Sequence, residues 1–161
     1  MKTTDVTVRL AKLSDADGIA AMSRDYIEQG LPWTWTAERV ANAVHDPDTN
    51  VVVAGERGKI AAFGIMFFAD DDAHLLLFAV RSGTRRRGIG SAILRWLEEA
   101  ARTAGAKRIR VECRRDNTPA RIFYGEHGYT ELTITRKMYR GLMDGIHLEK
   151  WFRPVVDELP K

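Results

Sequence analysis

The sequence is short of the features that mark several large protein classes. It holds one cysteine, Cys113, in 161 residues. That excludes an intramolecular disulfide and a multi-cysteine metal site, and it fits a reducing compartment. The longest apolar run, IAAFGIMFF from Ile60 to Phe68, is about half of the ~20 residues a membrane helix needs. The first residues, MKTTDVTVRL, lack the apolar stretch of a secretion signal, so a cytoplasmic protein without membrane attachment is expected. There is no basic tail: the net charge is only +3, and the basic residues gather between Arg81 and Arg121. Such clustering points to a local anion site. A nucleic-acid surface would interleave aromatics with these basic residues, and TRRRGIG and KRIRVECRR carry none. His45, His127 and His147 show no metal-ligand spacing among themselves or with Cys113, so no metal is expected and they read as surface or capping residues.

What is present is a chain with 45% apolar residues, enough for one domain burying about two thirds of its unfolded surface. Residues 1–152 read as that domain and 153–161 as a C-terminal tail. Val6 to Lys12 alternates like a strand, and Ser14 with Asp17 reads as the cap of a helix carrying Ile19, Met22, Tyr26 and Ile27 on one stripe. Gly30 and Pro32 end that helix, and Thr36 caps a short second one that Asp46 and Pro47 stop. NVVVAGE and KIAAFGIMFFA are two strands joined at Arg57 and Gly58, followed by a strand from His74 to Val80. A helix with Ile89, Ile93, Trp96, Leu97, Ala100 and Ala104 on one face stops at Gly105. KRIRVEC is a further strand, Asn117 caps a helix with Pro119 in its first turn, and two last strands form a hairpin around Gly141 to Gly145. The order gives an α/β layout with a mixed sheet.

Between the fourth strand, HLLLFAV, and the long helix lies GTRRRGIGSA, Gly83 to Ala92. A Walker loop would need Lys where Ile89 stands, and a dinucleotide fingerprint would need Gly or Ala where Ile93 stands. Neither mode fits. A helix N-terminus nevertheless offers free amide hydrogens and the positive end of the dipole, so the backbone of about residues 86 to 91 can converge on phosphate oxygens. Gly88 and Gly90 admit close approach, and Arg85, Arg86 and Arg87 add charge-assisted contacts.

The segment HLLLFAVRSGTRRRGIGSAILRWLEEA resembles the central motif of the GCN5-related N-acetyltransferase (GNAT) family, matching at Arg85, Gly88 and Gly90. NTPARIFYGEHGY is similar to the next motif of that family, at Asn117, Ala120, Tyr124, Gly128 and Tyr129, and VECRRDN resembles a motif of ribosomal-protein N-terminal acetyltransferases. The resemblance implies a single-domain GNAT-like fold, a mostly antiparallel sheet of about seven strands with four helices and a splayed parallel pair. It implies acetyl-CoA as acyl donor, its pyrophosphate cradled by Arg85, Arg86, Arg87, Gly88, Ile89, Gly90 and Ser91. The pantetheine arm would pair with the backbone of Phe78, Ala79 and Val80, and Asn117 and Tyr124 would complete the site.

Direct attack of an amine on a thioester, through a tetrahedral intermediate, needs a neutral amine, oxyanion stabilisation and a proton for the leaving thiolate. The resemblance assigns the acid to Tyr124 and oxyanion help to a backbone amide such as that of Phe78. For the base, Glu112 alternates away from Ile109, Val111 and Cys113, while His74 opens its strand in phase with Leu76 and Phe78; a water relay is the third choice. Cys113, in phase with core residues, reads as packing and not as an acyl carrier. Trp33 and Trp35 could wall an acceptor pocket with both rings on one side, or peg a loop to the core, and Asp70 to Asp72 could steer a cation or simply turn the chain. The expected acceptor is a small-molecule amine or a protein or peptide amine. The rival reading is a catalytically idle acyl-CoA-binding regulatory module. The terminal hairpin offers an edge strand through which a homodimer could form.

Overall fold

A computed structural model describes residues 7–56, 59–82, 88–139 and 141–153. Its elements in chain order are β1 (Thr7–Leu10), α1 (Ala16–Met22), α2 (Ala37–His45), β2 (Thr49–Glu56), β3 (Lys59–Ala69), β4 (Asp72–Val80), α3 (Ile89–Thr103), β5 (Arg108–Arg114), α4 (Thr118–Glu126), β6 (Thr130–Tyr139) and β7 (Met143–Trp151). The strands form one sheet in the order β1-β2-β3-β4-β5-β7-β6. Only β4 and β5 are parallel; the other neighbours are antiparallel. The mixed α/β architecture with a mostly antiparallel sheet is therefore as the sequence implied. No helix among the described residues is long and apolar enough to cross a membrane.

The sheet is covered on both faces. On one, Ile89, Ile93, Leu94 and Leu97 of α3 pack with Ala62 and Met66 of β3, Val111 of β5 and Leu148 of β7. On the other, Ile19 and Met22 of α1 and Val40 of α2 pack on Val51, Val53, Phe63 and Ile65. The buried stripe of α3 is rotated from its sequence reading: Leu94, Glu98 and Ala101 are buried, while Trp96 and Ala100 only border the core. Glu98 can turn inward because Tyr129 Oη donates to it at 2.9 Å and Lys150 Nζ at 3.2 Å, which satisfies a charge that would otherwise be costly to bury.

Three local details differ from expectation. Ser14 and Asp17 do not cap the first helix; Asp15 does the work, accepting from the Lys12 amide at 2.7 Å and from the Arg9 guanidinium at 2.8 and 3.1 Å. A 3-10 turn, Leu13–Asp15, precedes α1 and moves the start forward. Beyond Met22 the chain continues as a π-helical turn, Ser23–Ile27. Gly145 lies within β7, leaving Gly141 at φ +72° to make the hairpin bend. The turn at Arg57 and Gly58 lies outside the described residues.

Two irregularities shape the sheet. Between β3 and β4 the register passes from Ile65 opposite Leu77 to Met66 opposite Leu75, so Leu76 is an extra, bulged residue. The bulge switches the strand's phase. Ala73 and Leu75 belong to the α3 side and Leu77 and Ala79 to the α1–α2 side, with Phe78 and Val80 against the α3 side. His74 therefore does not share a face with Phe78, as strict alternation suggested. At the other edge, β6 changes register against β7 between Glu131 and Thr133 and again between Thr135 and Tyr139, with Lys137 at φ +53°.

A further register change, at Ala54/Gly55 in β2, explains a glycine: a Cβ at position 55 would run into the backbone carbonyl of Lys59. Gly55→Ala is expected to destabilise the domain by about 1–3 kcal/mol, read as a lower urea midpoint at unchanged slope.

Candidate active site

The parallel ladder of β4 with β5 runs from Asp72–Arg108 to Leu75–Val111 and stops there. From Glu112 onward β5 follows β7, with Glu112 opposite His147 and Arg114 opposite Gly145. The Leu76 bulge bends β4 at the same level. The two strands separate, and the backbone of Phe78 and Ala79 borders a cleft where a ladder partner would otherwise lie. An extended, amide-bearing ligand can take that partner's place.

The N-terminus of α3 closes one end of the cleft. Gly88 is its N-cap in a left-handed conformation, φ +79°, and among the described residues beyond its chain neighbours no atom lies within 4 Å of where its Cβ would be. Gly90 is there for proximity: a Cβ would sit 3.2 Å from Val80 Cγ2 and 3.5 Å from the Phe123 ring. Ile89 is buried, so only its backbone is available to a ligand. Ser91 Oγ lies 2.9 Å from His127 Nε2, and His127 Nδ1 donates to the Phe123 carbonyl at 2.8 Å. His127 thus ties the end of α4 to the first turn of α3. Arg85, Arg86 and Arg87 lie outside the described residues.

Asn117 caps α4 by accepting from the Ala120 amide at 3.2 Å, so its side chain is committed to the helix. The cap aims α4 so that Tyr124 enters the core at 4% exposure, among Phe78, Phe123 and Tyr129 with ring centroids 5.5–6.2 Å away. Its hydroxyl makes no hydrogen bond to a described residue, unusual for a buried phenol. Burial drives its ionisation well above the ordinary range, with Cys113 and Tyr139 adding to the effect. The group stays protonated and can give a proton to a stronger base. Burial also pushes the Cys113 thiol up to about 11, which leaves little thiolate at neutral pH and opposes an acyl-carrier role.

Glu112 and His74 come together on the opposite face, the Glu112 Oε2 and His74 Nε2 atoms 3.7 Å apart. Glu112 is held below the usual carboxylate range by His74 first of all; burial opposes this, while His147 and Arg110 add to it. The structure thus makes one unit of two residues that the sequence set as competitors.

The LPWTWT loop beside the cleft is built by a residue that the sequence reading passed over. Glu28 is buried at the end of the π turn, where it accepts from the Thr34 amide at 2.6 Å, Thr34 Oγ1 at 2.7 Å, Ser23 Oγ at 3.0 Å and the Trp35 amide at 3.1 Å. These bonds fold the LPWTWT loop. Arg114 of β5 donates to the Gln29 carbonyl at 2.8 Å and fastens the loop beside the cleft. Trp33 and Trp35 part ways. Trp33 is 42% exposed with Arg24 over its ring, while Trp35 packs on the α1–α2 core beneath Arg39. Asp72 is held by Arg108 at 2.8 and 3.1 Å, so it braces the start of the ladder. Among the described residues, no group of three His, Cys, Asp or Glu side chains is arranged to hold a metal ion.

Residues 19–129 match the model of the Acetyltransferase (GNAT) family. The chain belongs to that family. GNAT acetyltransferases draw their acyl group from acetyl-CoA. The chain is 34% identical over 84 residues to a [ribosomal protein bS18]-alanine N-acetyltransferase of Escherichia coli K12, a match spanning 52% of the chain and 57% of that relative. It is 31% identical over 121 residues to the Salmonella typhimurium protein of the same name, across 68% of the chain and 80% of the relative. The crystal structure of the Escherichia coli ribosomal-protein-S18-alanine N-acetyltransferase superposes with a TM-score of 0.78 at 25% identity, covering 97% of this chain and 99% of that one.

The Glu28 carboxylate generates a pH prediction. Burial pushes its pKa up, but the hydrogen bonds from Thr34, Trp35 and Ser23 outweigh that and leave it lowered. A lowered folded pKa contributes stability that is present above the unfolded value and lost as pH falls through the folded one. Glu28→Gln should cost about 1–3 kcal/mol at pH 7. Urea unfolding should show the gap to wild type narrowing as the pH is taken below the ordinary glutamate value.

Proposed function

We propose that this protein is an acetyl-CoA-dependent N-acetyltransferase whose acceptor is a protein α-amine, of the kind borne by an alanine-initiated chain. The carrying observation is the placement of two kinds of proton chemistry on opposite faces of one cleft. Tyr124, buried and without a described hydrogen-bond partner, lies on the α3 side, and the Glu112–His74 pair lies on the other. The names of the bS18-alanine relatives support the acceptor class.

In this reading the acetyl thioester lies between the separated strands. The backbone of Phe78 and Ala79 orients its amide-bearing arm, and the first turn of α3 at Gly88 to Ser91, with Arg85 to Arg87, receives its phosphates. Asn117 contributes by aiming α4. An α-ammonium, with a pKa of about 8, loses a proton to the Glu112–His74 side and attacks the thioester carbonyl. A cleft-facing amide of β4 near Phe78 steadies the oxyanion of the tetrahedral intermediate. As the intermediate collapses, the carbon–sulfur bond breaks and Tyr124 protonates the leaving sulfur.

The test combines binding and turnover. Acetyl-CoA should raise the melting temperature, and thiol release should be fastest with an alanine-initiated peptide in a panel that includes lysine side-chain peptides and small amines. Tyr124→Phe should lower kcat by about 100-fold or more. No thermal shift with acetyl-CoA would overturn the donor assignment. A shift without thiol release on any amine would make the protein an idle acyl-CoA-binding module.

A further inference from the structure

Glu112 has a second imidazole beside it. His147 stands directly opposite on β7, its Nδ1 3.2 Å from Glu112 Oε2, the same oxygen that His74 approaches at 3.7 Å. One carboxylate oxygen therefore lies between rings brought in by β4 and β7. On its far side, His147 Nε2 lies 2.7 Å from Thr135 Oγ1 of β6. These contacts fix the protons. A ring nitrogen can approach a carboxylate oxygen closely only as N–H, because two lone pairs would repel, so His147 carries its proton on Nδ1 and accepts the Thr135 hydroxyl at Nε2. At 3.7 Å His74 Nε2 is outside hydrogen-bond distance of the carboxylate but within its electrostatic reach, which favours the ring with Nε2–H turned toward Glu112. Both nitrogens of His147 are then engaged, whereas His74 Nδ1 makes no hydrogen bond to a described residue.

We propose that His74, Glu112 and His147 form a single proton-handling array, in which His74 takes the acceptor's proton, Glu112 orients it, and His147 is a positioning residue that pins Glu112. This rests on the acyltransferase reading above. The step balances without another reactant. The ammonium N–H bond breaks, its electron pair stays on the acceptor nitrogen as the attacking lone pair, and a new N–H bond forms at His74 Nδ1. The imidazolium so formed faces the Glu112 carboxylate and returns its proton to water along its 30% exposed side chain. Glu112 suits the orienting part: its carboxyl lies below the usual range, so it takes up a proton less readily than an imidazole does. The charged and titratable groups around Glu112 are His74 from β4, Arg110 from its own strand, His147 from β7 and Tyr139 from β6; Asp72 faces His74.

The experiment compares His147→Leu, His147→Gln and Thr135→Val with wild type, using acetyl-CoA and an alanine-initiated peptide across pH 5.5 to 9. His147→Leu is expected to lower kcat by about tenfold or more, a fraction of what a general base supplies, with KM for acetyl-CoA unchanged. The acid limb of its rate profile should move to higher pH, because Glu112 freed from one donor holds the imidazolium more firmly. His147→Gln keeps an N–H that can reach Glu112 and should recover most of the rate, and Thr135→Val should fall between. Ring nitrogen chemical shifts supply a readout independent of turnover, with His147 as the Nδ1–H and His74 as the Nε2–H tautomer at pH 8. A folded His147→Leu protein with wild-type kcat and pH profile would overturn the array, as would His147 in the Nε2–H tautomer. Failure of the wild type to acetylate any amine would instead overturn the acyltransferase reading, and the two failures are separable.

Discussion

The separation of β4 from β5 after the Leu75–Val111 pair is the constraint on which the rest depends. A sheet interior gives up backbone hydrogen bonds reluctantly, so a parted pair of strands persists only if each has somewhere else to go. β5 goes to β7, which pairs with it through Arg114. β4 is bent by the Leu76 bulge and held by β3 as far as Val80. The cleft is thus built into the strand pairing, and side-chain packing need not hold it open. The bulge has a second effect. Because it reverses the phase of β4, His74 before it faces the α1–α2 side with Glu112, while Phe78 after it stacks on Phe123 at 5.4 Å.

The aromatic contacts carry this geometry to the helix termini. Phe78 holds Phe123, Phe123 packs on His127 with centroids 4.4 Å apart, and His127 reaches Ser91. A strand, the end of α4 and the start of α3 are locked in one chain of contacts. The LPWTWT segment is joined to the sheet by fewer bonds. Arg114 spans the two through its bond to the Gln29 carbonyl, and Tyr26 Oη accepts from the Ser82 amide at 3.4 Å.

Local chemistry made much of this legible in the sequence. Gly88 and Gly90 signalled a tight helix start, Asn117 with Pro119 signalled a cap, and Tyr124 followed two helical turns later; each signal spans a few residues and survives folding unchanged. What the sequence hid depends on register. Nothing local says that Leu76 is bulged, so alternation put His74 on the wrong face. His147 alternates plainly with Ile146 and Leu148, but only the β5–β7 pairing sets it opposite Glu112. Glu28 follows a π turn, which inserts a residue and rotates the chain beyond it, so a 3.6-residue stripe could not show that its carboxylate turns inward. The two tryptophans misled for a related reason: WTW alternates only in an extended segment, and Glu28 folds that segment around itself.

The outer strand of the sheet has a different kind of importance. β6 is ten residues long, exposed along most of its length, and carries Leu132 and Ile134 in the open. Flat strands of this kind template uncontrolled stacking of one molecule on another. Here the two register breaks and the left-handed Lys137 prevent the strand from offering a straight row of amide and carbonyl groups, and Arg136 and Lys137 add like charge at the bend. The same hairpin that brings Thr135 to His147 is therefore shaped against edge-to-edge stacking.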